Sequence, residues 1–151
     1  MTKHALYFLL ALGLFTVGNL HAAQADHVTA SDAWIRLLPA NLPAGGYVTL
    51  HNNGSSAATL VAAHSAAYAS VMLHQSSMTN DGMSSMSVVD RLIIPAQGKV
   101  ALAPAGYHLM LEQASHPLKP GDTVDISLDF ADGSHLPVHF LVRPANAADT
   151  E

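Results

Sequence analysis

Cysteine is absent from all 151 residues. That excludes disulfides, zinc–thiolate sites, thiol redox catalysis and any copper centre that needs a thiolate ligand. Cationic residues are scarce too: six Lys and Arg stand against eleven Asp and Glu, which leaves no electrostatic footprint for a nucleic-acid backbone. Charged residues make up 11% of the chain and hydrophobic ones 50%, so the chain is not disordered and must fold on an apolar core. Its length suits a single domain. What the sequence has in quantity is histidine, with ten residues, and methionine, with six.

The N-terminus reads as a targeting segment. Met1-Thr2-Lys3-His4 gives a short positive start, an apolar run follows from Ala5 to Val17, and Ala23 and Ala25 form an A-x-A cleavage pattern. Residues 1–25 are therefore expected to be a secretory signal peptide, with Ala22 and Ala23 as alternative cleavage points, and 26–151 the exported domain. The apolar run is short for a membrane anchor and polar residues follow it directly. No second long apolar stretch exists, so no membrane span is expected in the mature protein.

The rest of the chain reads as short strands between turns. Strand candidates are Trp34–Leu37, Tyr47–Leu50, Thr59–Val61, Val71–His74, Leu92–Ile94, Val100–Leu102, Tyr107–Leu111, Val124–Phe130 and Val138–Val142. Asn52-Asn53-Gly54 and Lys119-Pro120-Gly121-Asp122 carry turn chemistry, and Asp132-Gly133 marks a hairpin between the last two strands. No sustained 3.6-residue apolar period appears. The spacing predicts an all-β sandwich or small barrel of about seven to nine strands. Trp34 is expected to plug the core, and the tail from Pro144 to be loose.

Alternation within the strands is the most informative feature. In Tyr107-His108-Leu109-Met110-Leu111, residues 107, 109 and 111 would face the core and His108 and Met110 the opposite side. The same logic in Val71-Met72-Leu73-His74 turns Met72 and His74 away from the core. Between them lies a polar, methionine-rich stretch from His74 to Met86. Asn80-Asp81-Gly82, roughly midway, would fold Met86 back to within a residue or two of His74. Methionine usually fills cores, but this polar setting gives a core little to work with. Imidazole plus thioether is a soft ligand set that favours Cu(I) over magnesium, calcium or manganese. Two His and two Met would hold copper without an obvious catalytic partner, which suits carriage better than chemistry. The competing view is that His108 is a surface histidine and Met110 a packing residue at the rim.

The pattern His74-x11-Met86-x21-His108-x-Met110 resembles the copper-binding signature of the PCu(A)C family of periplasmic copper chaperones. The second gap matches that family, while the first is one residue longer, which leaves the choice between Met83 and Met86 open. The likeness also covers Ser31–Arg36, Gly46–Gly54, Pro104–Leu111 and Pro117–Asp122, and so spans nearly the whole mature chain. The resemblance implies a cupredoxin-like, Greek-key β-sandwich or barrel in a single domain. It also implies a periplasmic protein that binds Cu(I) through His74, Met86, His108 and Met110. The implied recipient is the dinuclear copper centre of cytochrome c oxidase, or another periplasmic copper protein. Met72 and Met78 are auxiliary ligand candidates, whereas His51, His64, His116, His135 and His139 are not expected to bind metal. The tail ends without His or Met, so no second copper site is expected there. An exported structural or adhesive β-sandwich is the alternative. An enzyme is not expected, because no Gly-x-Ser-x-Gly elbow or Asp/His cluster stands out.

Overall fold

The computed structural model describes residues 22–148. The apolar N-terminal run and the last three residues lie outside that range. A single 3₁₀ turn, Gln24–His27, leads into ten strands. They are β1 (Val28–Arg36), β2 (Ala44–Asn52), β3 (Ala58–His64), β4 (Tyr68–Met78), β5 (Ser84–Val88), β6 (Leu92–Ile94), β7 (Gly98–Leu102), β8 (Tyr107–Ala114), β9 (Thr123–Phe130) and β10 (His135–Arg143). The all-β expectation holds. Every strand candidate falls inside an observed strand, apart from Leu37 at the end of the first.

The strands form one hydrogen-bonded sheet in the order β5-β4-β8-β2-β1-β10-β9-β3-β6, with β7 also paired to β2. β1 and β10 run parallel; the other pairings among the described residues are antiparallel. A sheet of this size does not stay open. Leu50, Leu109 and Leu111 from one half share one apolar cluster with Leu60, Ile126, Phe130 and Phe140 from the other, so the sheet folds over a common core. This is a sandwich made from one continuous sheet.

The added strand is β5. All of its residues are exposed and most are serine or methionine, so no alternating apolar pattern announces it. Backbone pairing to β4 and a hydrogen bond between the Ser77 and Ser85 hydroxyls at 2.8 Å hold it in the sheet. The β9–β10 turn was legible, although β10 begins at His135 and not at Val138: Gly133 takes a positive φ of 84°, which glycine tolerates, and the Phe130 N–H bonds the Ser134 carbonyl across the turn.

Trp34 is buried, as expected, but outside the main apolar cluster. The register of β1 against β2 shifts between Ser31 and Trp34, where Asp32 adopts φ 53°. That bulge turns Ile35 into the core and Trp34 onto the opposite face. There its ring lies 4.7 Å from the Tyr47 ring, with the guanidinium groups of Arg36 and Arg143 at 5.4 and 5.0 Å.

The packed body also begins upstream of Asp26. Ala25 lies in the core, and the Gln24 amide oxygen accepts the Thr59 N–H at 3.0 Å. At the other end, the Ala147 carbonyl accepts a hydrogen bond from Arg36 at 3.2 Å.

Candidate metal centre

β4 and β8 position the histidines and most of the methionines. Their antiparallel register pairs Met72 with Met110 and His74 with His108, each directly opposite the other. The alternate pairs, Val71 with Leu111 and Leu73 with Leu109, point into the core. The two-residue side-chain period then puts both histidines and both methionines on the other face of the sheet. The expected alternation is observed, with Leu73, Leu109 and Leu111 buried and Val71 and Tyr107 half-buried.

His108 is nevertheless not a surface residue. Only 6% of it is exposed, because its ring is packed against that of His74, 5.8 Å away at 73°. Its Nδ1–H donates to the Gly106 carbonyl at 3.1 Å, and the same carbonyl accepts the Ser76 N–H at 3.0 Å. Gly106 therefore clips β4 to β8 beside the pair. Because a carbonyl can only accept, Nδ1 carries the proton, which leaves the Nε2 lone pair of the neutral ring free to bind a metal.

His74 shows the complementary feature. Both of its ring nitrogens are covered and neither has a hydrogen-bond partner. Buried polar atoms without partners are rare and call for an explanation, and an absent ligand is one. Burial holds the His74 pKa below its ordinary value; repulsion from His108 adds to this, and Glu112 partly opposes it. The neutral imidazole, the form that coordinates metals, is thereby favoured.

Met86 comes from β5. Thr79 N–H bonds to the Met83 carbonyl at 2.8 Å and Gly82, at φ 80°, turns the chain, so β5 folds back along β4 as Asn80-Asp81-Gly82 predicted. Met86 sits opposite Ser76 and Val88 opposite His74. Met86 is thus two residues from the His74 register, on the same face. Met83 lies in the turn itself. Met78, Met83 and Met86 are 71, 66 and 53% exposed, which rules them out as core residues. Among the described residues no three His, Asp or Glu side chains converge in a way that could hold a metal. A metal on this face would therefore depend on thioether sulfur, which selects a soft ion such as Cu(I).

Asp/His pairs that the sequence reading passed over lie on β3, β9 and β10. Asp129 accepts hydrogen bonds from His64 at 2.8 Å and His135 at 2.7 Å, and Asp125 accepts one from His139. The hairpin register contained the signal, since a turn at Asp132-Gly133 sets Asp129 opposite His135 and Asp125 opposite His139. Burial pushes the Asp129 carboxyl up, but hydrogen bonds from the two histidines outweigh it and hold its pKa below the ordinary value. Among the described residues the hydrogen-bond partners of these three imidazoles are the two aspartates.

Comparison with known proteins settles the family. The model of the LpqE-like family, described as a lipoprotein family, matches residues 28–142. This chain belongs to the LpqE-like family. A protein named as a lipoprotein, Lxx21020 of Leifsonia xyli subsp. xyli, is 33% identical over 126 residues, covering 83% of this chain and 75% of the relative. Among solved structures, the solution structure of CuI-DR1885 from Deinococcus radiodurans is 35% identical with a TM-score of 0.64, covering 85% of each chain. The copper-bound PCuAC domain from PmoF2 is 20% identical with a TM-score of 0.65, covering 83% of this chain and 99% of that one; at that identity the likeness concerns the fold. The LpqE-like chain thus has the cupredoxin-like fold of PCuAC domains. No helix among its described residues is long and apolar enough to cross a membrane.

Proposed function

We propose that this LpqE-like protein is an exported carrier of Cu(I), bound through His74, His108, Met110 and Met86. One observation carries the reading: His74, its two nitrogens covered and unpartnered, faces a His108 whose tautomer leaves Nε2 free. Thioethers lie on the flanking positions of the same sheet face. The solved relative whose name includes CuI, 35% identical to this chain, supports the same metal. Imidazole and thioether donors suit an arrangement that holds Cu(I) and releases it intact.

Delivery in the periplasm, to the dinuclear copper centre of cytochrome c oxidase or to another copper protein there, is the destination we assign. Export fits the lipoprotein descriptions of the family and the relative. Signal cleavage before Gln24 fits the packing of Gln24 and Ala25 better than cleavage after Ala25. The test is anaerobic competition for Cu(I) against a coloured chelator, followed by mixing the loaded protein with the purified copper-receiving domain of the oxidase. One copper bound per chain and its appearance in that domain support the reading. Absence of stoichiometric uptake would instead favour an adhesive or structural sandwich.

A further inference from the structure

Met72 and, further along β4, Met78 share this face of the sheet with the four residues of the ligand set above. Directly opposed residues on neighbouring strands have Cβ atoms about 5 Å apart, and same-face neighbours along a strand lie about 7 Å apart. The pairs Met72–Met110 and His74–His108 are adjacent rungs of the β4–β8 ladder, so their four side chains rise from the corners of a small rectangle. Met72 stands beside His74 exactly as Met110 stands beside His108. Met86 is placed differently. It lies on the far side of the histidine rung from Met110, and it belongs to a strand separated from β8 by the whole of β4.

We propose that Met72 is itself a copper ligand. With His74, His108 and Met110 it closes an inner position, an alternative to the outer position closed by Met86. The inference rests on the Cu(I) reading above and deepens it. Met72 is half-buried beside the covered histidines, whereas Met86 is exposed on the edge strand. The inner position therefore keeps the ion among covered donors, and the outer one presents it at the edge of the sheet. Thioethers bind without gaining or losing a proton, so exchange of Met72 for Met86 needs no change in charge and no co-reactant. The bland alternative is that Met72 only packs against Met110.

The experiment uses the full chain and its M72L, M86L, M72L/M86L and H108Q variants, with leucine keeping the bulk and removing the sulfur. Chelator competition gives each Cu(I) affinity, and X-ray absorption counts sulfur neighbours around copper in M86L. M86L is expected to retain two sulfur neighbours, from Met110 and the intact Met72. Each single leucine variant should lose about tenfold or less, and the double variant more than the product of the two losses, as coupled sites do. One sulfur neighbour in M86L, or an M72L substitution without effect in both backgrounds, would overturn the proposal. H108Q distinguishes the two levels: if it also leaves affinity unchanged, the histidine–methionine site fails as a whole. If H108Q abolishes tight binding while M72L is silent, only the role of Met72 fails. The sulfur count in M86L leaves Met72 in place and so does not depend on how an altered Met72 folds.

Discussion

In the proposed site, His108 serves both metal and fold. Its Nδ1–H is committed to Gly106, and the ring is covered by its neighbours. Replacing it with alanine should therefore abolish tight Cu(I) binding and also cost about 1–3 kcal/mol of apo stability, from the lost hydrogen bond and packing. Met110→Leu should weaken binding while changing apo stability by less than about 1.5 kcal/mol, because bulk is kept. Denaturant unfolding of the apo variants, alongside chelator competition, checks both. A His108→Ala protein with unchanged Cu(I) affinity would remove the histidine pair from the site. The choice between Met83 and Met86 is also made at this scale. Met86 shares the histidine face, whereas Met83 helps close the turn through its carbonyl. Met86→Leu should reduce Cu(I) affinity about tenfold and Met83→Leu less than about threefold, in line with one thioether lost against none. A larger loss at Met83 would reverse the assignment.

At the level of elements, strand pairing carries both histidine clusters: β4 against β8 for His74 and His108, and β9 against β3 and β10 for the group around Asp129. The β9–β10 hairpin sets Asp129 between His64 and His135, and its carboxyl is held below its ordinary pKa despite some burial. A carboxyl with a depressed folded-state pKa contributes stability that is present above its unfolded pKa of about 4 and is lost as pH falls through the folded value. Asp129→Asn should lower stability at neutral pH by about 1 kcal/mol, discounted for the exposure of both histidines, and the gap should close below about pH 4. Thermal melts of both proteins from pH 3 to 7 measure it; a gap independent of pH would show that the negative charge of Asp129 is not what stabilises the hairpin. This hairpin was readable because Asp-Gly sits between two alternating apolar runs. β5 was not, since its three serines and exposed Met86 give no periodic apolar signal. The position of Trp34 outside the main apolar cluster follows a register shift beside Asp32, whose positive φ its residue type does not demand. The candidate site was legible as a set of residues on one face, because alternation fixes faces. Which residues stand opposite one another, Met72 with Met110 above all, depends on strand register, and no turn joins β4 directly to β8 to announce it.

On the scale of the whole molecule, one sheet does two jobs with its two faces. The inner face supplies the common core, with Leu109, Ile126 and Phe140 fully buried, and makes β4 and β8 rigid supports. The outer face of the same two strands then presents imidazole and thioether donors whose spacing is set by that support, so a cysteine-free domain of this size can hold a soft ion without a dedicated cage. The central claim is that this face binds one Cu(I) through nitrogen and sulfur together. Copper-edge X-ray absorption on the protein loaded anaerobically with one equivalent of Cu(I) tests it most directly. The account predicts a d¹⁰ ion in a mixed shell of imidazole nitrogen and thioether sulfur; a shell of oxygen alone, or one without sulfur, would contradict it.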